Sequence, residues 1–391
     1  MTSIREAIRR FVTSPASIPA GTYHFQAPPD ALLPYRLHLR IEPDGHGVLI
    51  VNASTVLHLN STAAEYAYHI VQQTQKDQAV RTIASRYRIN RTHARQDFED
   101  FIDRIDELIH TPDLDPVAYL NFDRHAPYSQ EISAPYRLDC ALTYTLPVGS
   151  NPENAPTKRV ERELSTSEWE TILDKSWNAG IPHIIFTGGE PTLREDLPEL
   201  IQYAESLGQV SGLLTDGLRF ADPAYLETIL QTGLDHIMID FQLDNLQAEA
   251  ALQNVLSADI SLVAHLTITP GNTARASMCI ERFAQMGLEA ISISAVSPDM
   301  NETLTALHNQ ASDLGLSLVW DLAVPYSAFN PIAMEVVEDQ VFEGAGKAWL
   351  YVEPDGDVLP AQGINRVLGN LLRDPWEVVW SQAKSTYTKT G

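Results

Sequence analysis

Cysteine is nearly absent. The 391-residue chain has two, Cys140 and Cys279, far apart and on different predicted elements. That count excludes a disulfide framework and makes buried structural thiols the expectation. Basic charge is also scarce, with 27 Lys and Arg against 51 Asp and Glu, a net charge of −24 and a pI near 4.8. Binding a phosphate backbone needs massed Lys and Arg, so nucleic acid is set aside as a partner. No apolar run approaches the roughly 18 residues of a bilayer-spanning helix, and Met1-Thr2-Ser3-Ile4-Arg5-Glu6 opens no signal-peptide apolar segment. The expectation is a cytoplasmic protein with no membrane partner. None of the 12 histidines forms a His-Glu-x-x-His or similar pair, and there is no nucleophile elbow or Gly-rich phosphate loop. No metal site is expected.

The 44% of residues that are hydrophobic suffice for two or three sizeable cores. Residues 1–30 read as a short basic amphipathic start and then a linker, Ser14-Pro15-Ala16-Ser17-Ile18-Pro19-Ala20-Gly21. Tyr35 to Ile41 alternates with period two, Pro43-Asp44-Gly45-His46-Gly47 is a turn and Val48 to Val51 is a return strand, which predicts a β-hairpin. After Asn60-Ser61-Thr62, whose side chains can cap a helix, apolar residues recur at helical spacing near 63–73, 79–87 and 92–108. Hairpin and three helices predict a winged-helix-like α+β module. Its last helix reads Gln96-Asp97-Phe98-Glu99-Asp100, which is too acidic for DNA.

From Tyr136 strand and helix alternate. Strands are predicted at 137–146, 182–187, 211–216, 236–241, 261–269 and 290–296, and helices near 167–179, 197–207, 223–232, 247–257, 274–286 and 301–314. Six β/α units imply an α/β fold with a parallel sheet partly or wholly closed into a barrel. Strand ends of a barrel converge at its C-terminal face, which would gather Thr187, Glu190, Thr215, Asp216, Asp240 and His265. Asp240, His265 and Glu190 are acid–base candidates for an ordinary barrel hydrolase or lyase, and Glu190 with Asp240 could hold a cation. After Leu318 comes an extension in which Pro354-Asp355-Gly356-Asp357 turns a hairpin between apolar runs.

The stretch Phe186-Thr187-Gly188-Gly189-Glu190-Pro191 ends a short buried strand, and its glycines let backbone approach a ligand where a Cβ would clash. They can equally serve turn geometry alone, with Glu190 and Pro191 suited to a helix start. Here the chain resembles the radical S-adenosylmethionine (radical SAM) superfamily, in which such a turn holds the amino end of SAM. The resemblance implies a partial (β/α)6 TIM-like barrel over 136–318 and a SAM-binding set of Thr187, Gly188, Gly189, Glu190, Pro191, Thr215 and Asp216. In that family three cysteines after the first barrel strand, spaced Cys-x3-Cys-x2-Cys, ligate a [4Fe-4S] cluster. The spacing falls here on about Leu146, Ser150 and Glu153.

Residues 31–112, with Leu59-Asn60-Ser61-Thr62-Ala63-Ala64, resemble PqqD-like peptide-recognition domains, and 113–135 would be a linker. Residues 319–391 resemble a SPASM-type or twitch-type extension, with Ala361 and about Glu343 at the family's cysteine positions and Leu368-Gly369-Asn370-Leu371, Trp376 and Trp380 continuing its pattern. The expectation is a degenerate radical SAM-like protein, a pseudoenzyme that binds a leader or precursor peptide, or an active radical SAM paralogue, in a peptide-modification pathway. No cofactor is expected, a [4Fe-4S] cluster least of all, and SAM binding stays open. The alternatives are an active maturase with unconventional or partner-supplied cluster ligands, and a cluster-independent barrel enzyme.

Overall fold

The computed structural model describes residues 18–28, 31–52, 55–111, 131–148, 160–243, 245–319 and 344–387. The chain divides into two units, Met1–Ser133 and Ala134–Gly391. Among the described residues no helix is long and apolar enough to cross a membrane.

In the first unit the alternating run becomes β2 (Arg36–Ile41), paired antiparallel with β1 (Gly21–Gln26) and β3 (Gly47–Val51), while β4 (Thr55–Leu59) completes the order β1-β2-β3-β4. The register Tyr23↔Leu39, Leu39↔Leu49 and Leu49↔Leu57 lines up one apolar face. Three helices follow: α1 (Ser61–Val71), α2 (Lys76–Tyr87) and α3 (Arg91–His110). They contribute Ile83, Phe98, Phe101 and Ile105 to the core that this face forms with Leu39 and Leu49. Asn60 starts α1 by accepting the N–H groups of Thr62 at 3.1 Å and Ala63 at 2.9 Å, a cap worth about 1 kcal/mol. Residues 1–30, expected as start segment and linker, instead contain strand β1 at Gly21–Gln26, with Tyr23 and Phe25 packed on the core.

The second unit opens with β5 (Arg137–Thr143) and continues through α4 (Thr166–Asn178), β6 (His183–Gly188), α5 (Leu197–Leu207), β7 (Val210–Thr215), α6 (Pro223–Leu230) and β8 (His236–Asp240). Then come α7 (Leu246–Leu256), β9 (Ser261–Ile268), α8 (Thr273–Met286), β10 (Ala290–Ala295), α9 (Asn301–Asp313) and β11 (Ser317–Leu318). These strands are all parallel; β5 to β10 run at or within a few residues of their expected places, and β11 is a short strand that was not expected. The result is a mixed α/β unit with a parallel sheet, consistent with a partial TIM-like barrel.

The sheet does not end at β5. Beyond it lie β12 (Trp349–Val352), parallel to β5, and an antiparallel hairpin to β13 (Asp357–Leu359) and β14 (Gly369–Asn370), before the final helix α10 (Trp376–Tyr387). The residues expected as an extension therefore continue the barrel sheet at its first strand. Alternation sends Ile185, Leu214, Met238 and Val263 to one face of it, where they pack as a single apolar cluster.

Candidate functional site

The Gly-Gly turn leaves β6 and immediately packs on the end of β5. Gly189 N–H donates to Thr143 O at 2.7 Å and Glu190 N–H to Thr145 O at 2.9 Å. A Cβ on Gly188 would lie 2.2 Å from Thr143 O, and one on Gly189 2.3 Å from Thr145 O; Gly188 also sits at φ +129°. The glycines were expected to admit a ligand; the backbone they admit is that of the neighbouring strand. Arg194 fastens the far side of the turn, donating to the carbonyls of Leu142 and Leu164 at 3.0 Å each and forking onto Asp196.

Glu190 is 1% exposed and fully engaged. One carboxylate oxygen accepts from Thr192 N at 2.9 Å, Thr192 Oγ1 at 2.5 Å and Thr215 Oγ1 at 2.6 Å; the other accepts from Asp216 N at 2.8 Å. Pro191 then begins a 3-10 turn, Pro191–Leu193. Glu190 thus clamps the end of β6 to the end of β7, and its charge is balanced by in-chain donors.

Two residues beyond Ile185, Leu214, Met238 and Val263, the same alternation brings Thr187, Asp216, Asp240 and His265 to the same face. Asp216, Asp240 and His265 form a polar layer on Leu214, Met238 and Val263, while the β6–β7 register sets Thr187 one step lower, level with Leu214. All four polar residues are buried, and Asp240 stands opposite His265 in register. Burial, with the Glu190 carboxylate next and Asp240 contributing, pushes the Asp216 carboxyl up to about 8, against the pull of the Leu218 N–H it accepts. Burial lowers His265 to about 4, so its ring is neutral near pH 7. Its Nδ1 lies 3.0 Å from Ser292 Oγ and its Nε2 3.1 Å from Ser294 Oγ and 3.2 Å from Thr267 Oγ1. A neutral imidazole held between hydroxyls is a weak base, which argues against the acid–base role considered for it.

The structure also gathers groups that the sequence did not flag. Glu353, Asp355 and Asp357 offer three ligand atoms within 4.8 Å of one another, although Tyr144 Oη–H donates to Glu353 at 3.1 Å and Asn370 Nδ2 to Asp357 at 2.8 Å. Pro-Asp-Gly-Asp had signalled only a turn. Beneath the apolar layer Arg137, Asp139 and His236 line a small cavity. Leu146 is described; Ser150, Glu153 and Glu343 lie outside the described residues.

Residues 140–302 match the family described as Radical SAM superfamily. The likeness lies within the barrel unit. Among curated relatives, the PqqA peptide cyclase of Methylobacterium nodulans is 28% identical over 273 residues, covering 61% of this chain and 69% of that protein. That of Gluconobacter oxydans is 28% identical over 263 residues, covering 58% and 70%. Among solved structures, Streptococcus suis SuiB bound to precursor peptide SuiA aligns with TM-score 0.57 at 14% identity, covering 88% of this chain and 86% of that one. SuiB bound to S-adenosylmethionine gives 0.56 with the same coverage. At that identity SuiB speaks for the fold. Together these findings support a radical SAM peptide-maturation family.

They correct the expectation of no cofactor, because the radical SAM match and the SAM-bound neighbour point to SAM and a [4Fe-4S] cluster. The earlier expectation rested on the loop thiols alone. For SAM, the carboxylates and hydroxyls of the barrel mouth are a donor set that suits amino and hydroxyl groups. For the cluster, the chain's own thiols do not fit a three-cysteine site. Cys140 is buried within β5, where burial raises its thiol well above the ordinary range, and Cys279 lies on α8 with its thiol pushed up to about 12.

Proposed function

We propose that this chain is a peptide-binding component of a peptide-modification pathway, with its first unit acting as a PqqD-like peptide-recognition domain for a leader or precursor peptide. The observation that carries this is the make-up of the two units. A unit with radical SAM likeness is joined in one chain to a four-stranded antiparallel sheet with three helices, and the sheet has two edge strands, β1 and β4. An edge strand binds an extended peptide by backbone hydrogen bonds, with side-chain pockets supplying selectivity. PqqA peptide cyclases and the SuiB–SuiA complex name peptides as what such proteins handle. On this reading the chain binds the peptide and holds it for an active radical SAM paralogue; Leu146, Ser150 and Glu153 at the family's thiolate positions favour that division of labour.

A second reading, an active radical SAM maturase whose cluster ligands come from elsewhere, is favoured by the SAM-bound neighbour. The test is fluorescence polarisation with labelled short peptides encoded beside the gene for this chain. Residues 1–133 and the full chain should bind one of them with equal affinity, and residues 134–391 should not. Binding by 134–391 alone would overturn the assignment to the first unit. Iron and acid-labile sulfide after oxygen-free reconstitution, with SAM cleavage, separates presentation from catalysis.

A further inference from the structure

We propose that strand β1 is an exchangeable occupant of the first unit's sheet and that the peptide takes its place, pairing antiparallel with β2 and setting two large apolar side chains, two residues apart, where Tyr23 and Phe25 lie. That the incoming chain is a peptide substrate rests on the reading above. The exchangeable strand rests on the sheet itself.

Backbone pairing holds β1 more than burial does. It pairs with β2 over six residues, from Gly21↔Ile41 to Gln26↔Arg36, and Ala27 N–H then donates to Tyr35 O at 2.9 Å. None of its six residues is buried, against five of six in β2 and all five in β3. An element with so few buried apolar contacts belongs to the low-stability end of a fold. What the edge of β2 loses when such a strand leaves, another extended chain can supply, because its main-chain hydrogen bonds do not depend on sequence. β4, at the opposite edge, is not exchangeable in this way, since its departure would uncover the buried Leu57 and Leu59.

The side chains of β1 show what the seat selects. Alternation turns Tyr23 and Phe25 to the core, where both are partly buried, and turns Thr22, His24 and Gln26 away from it. The Tyr23 ring stands edge-on to Tyr68 of α1, with centroids 4.9 Å apart and planes at 89°, and the Phe25 ring lies 5.7 Å from that of Tyr35. Aromatic-lined seats of this geometry favour an incoming aromatic ring. The outward positions His24 and Gln26 are exposed and impose no apolar requirement. The partner is therefore an extended segment of the form aromatic-x-aromatic. Because β1 stays tethered through residues 27–35, it competes at high effective concentration, and the peptide's apparent affinity falls with the fraction of chains in which β1 has left. The chain's own strand thus sets a threshold that weakly pairing peptides do not pass.

The probe is a fluorescein-labelled peptide with the sequence of residues 20–27, read by polarisation against forms of the full chain. Tyr23→Ser with Phe25→Ser loosens β1 without removing backbone and should bind the probe about tenfold more tightly than the natural chain, or better. Gln26→Cys with Arg36→Cys locks β1 to β2, since cross-strand partners lie about 4.5–5.5 Å apart, within disulfide reach. The oxidised form should bind about tenfold more weakly than the reduced form, or worse. The lock holds the native pairing, so its effect is not loss of fold. The probe with serine in place of both aromatic residues should bind none of them. Equal affinity in the natural, double-serine and oxidised chains would overturn the proposal, and so would a probe that binds none of the forms. The gene-neighbour peptides of the preceding test separate the two readings. Equal binding of those peptides by the reduced and oxidised locked chains would leave peptide recognition standing at another edge and sink only the exchange. If residues 1–133 bind none of them, the recognition reading falls and the peptide assignment with it, while the probe still decides whether β1 exchanges.

Discussion

At the scale of single residues, the Gly-Gly turn is the clearest case of a motif whose cause is packing. Gly188 and Gly189 face carbonyl oxygens of Thr143 and Thr145 at distances no Cβ tolerates, and those oxygens belong to backbone that is itself held by hydrogen bonds to the turn. Nothing nearby can yield cheaply. Gly188→Ala should therefore cost more than an ordinary overpacking substitution, about 3 kcal/mol, because φ +129° adds strain to the clash. Gly189→Ala meets only the clash and should cost about 1–3 kcal/mol. Urea midpoints of the two variants check the order; equal, negligible losses would mean that the turn can lift away from β5. Glu190 belongs to the same construction. Its four hydrogen bonds join the turn to Thr215 and Asp216, so the residue first noticed as a ligand holder fixes the position of the neighbouring acid.

At the scale of elements, the seam between β12, β5 and β6 depends on one buried pair. Arg137 Nε lies 2.8 Å from Asp139 Oδ1, and the guanidinium carbon lies 5.2 Å from the Trp349 ring centroid on β12. Burial raises the Asp139 carboxyl above its ordinary range even though Arg137 pulls it down. Arg137→Met leaves that carboxyl without its cation and should destabilise the second unit by about 3 kcal/mol, the low end for breaking a buried pair because Asp139 can take up a proton. Arg137→Met with Asp139→Asn should recover part of the loss; a double variant no better than the single one would show that the ring contact matters more than the charge. This seam was not legible in the sequence, since Trp349↔Arg137 joins residues more than 200 positions apart and local periodicity carries no such pairing. The β/α order was legible because apolar strands and amphipathic helices announce themselves locally. Asp216, Asp240 and His265 were legible as strand-end residues, but their place above Ile185, Leu214, Met238 and Val263 needed the register. Strand β1 was missed because Gly21–Gln26 is short and follows a Pro-rich stretch, although Tyr23 and Phe25 already alternate.

At the scale of the whole molecule, buried titratable groups of opposite sign set the pH at which the second unit is most stable. His236 and His265 have folded pKa values lowered to about 4 by burial, with Arg137 adding to the effect at His236. An unfolded chain binds those protons from about pH 6.5 downward, so stability is present above about 6.5 and is lost as pH falls towards 4. Asp216 works in reverse. Its folded value of about 8 lies above the unfolded value near 4, so its contribution is complete below about 4 and is lost as pH rises to 8. Between about pH 4 and 6.5 two histidines oppose the Asp216 carboxyl, joined above its ordinary range by Asp139, so stability should climb with pH by at most about 1.4 kcal/mol per unit; above 6.5 the histidines no longer titrate and stability should decline as the Asp216 carboxyl ionises. The expected outcome is a maximum close to pH 6.5. All 6 tryptophans lie within Ala134–Gly391, so their fluorescence follows this unit alone during urea unfolding. Asp216→Asn should flatten the alkaline limb and leave the acid limb intact, while His265→Gln should make the acid limb shallower. General repulsion in a chain of net charge −24 would instead lower the alkaline limb in every variant alike, so an unchanged decline in Asp216→Asn would remove Asp216 from the account.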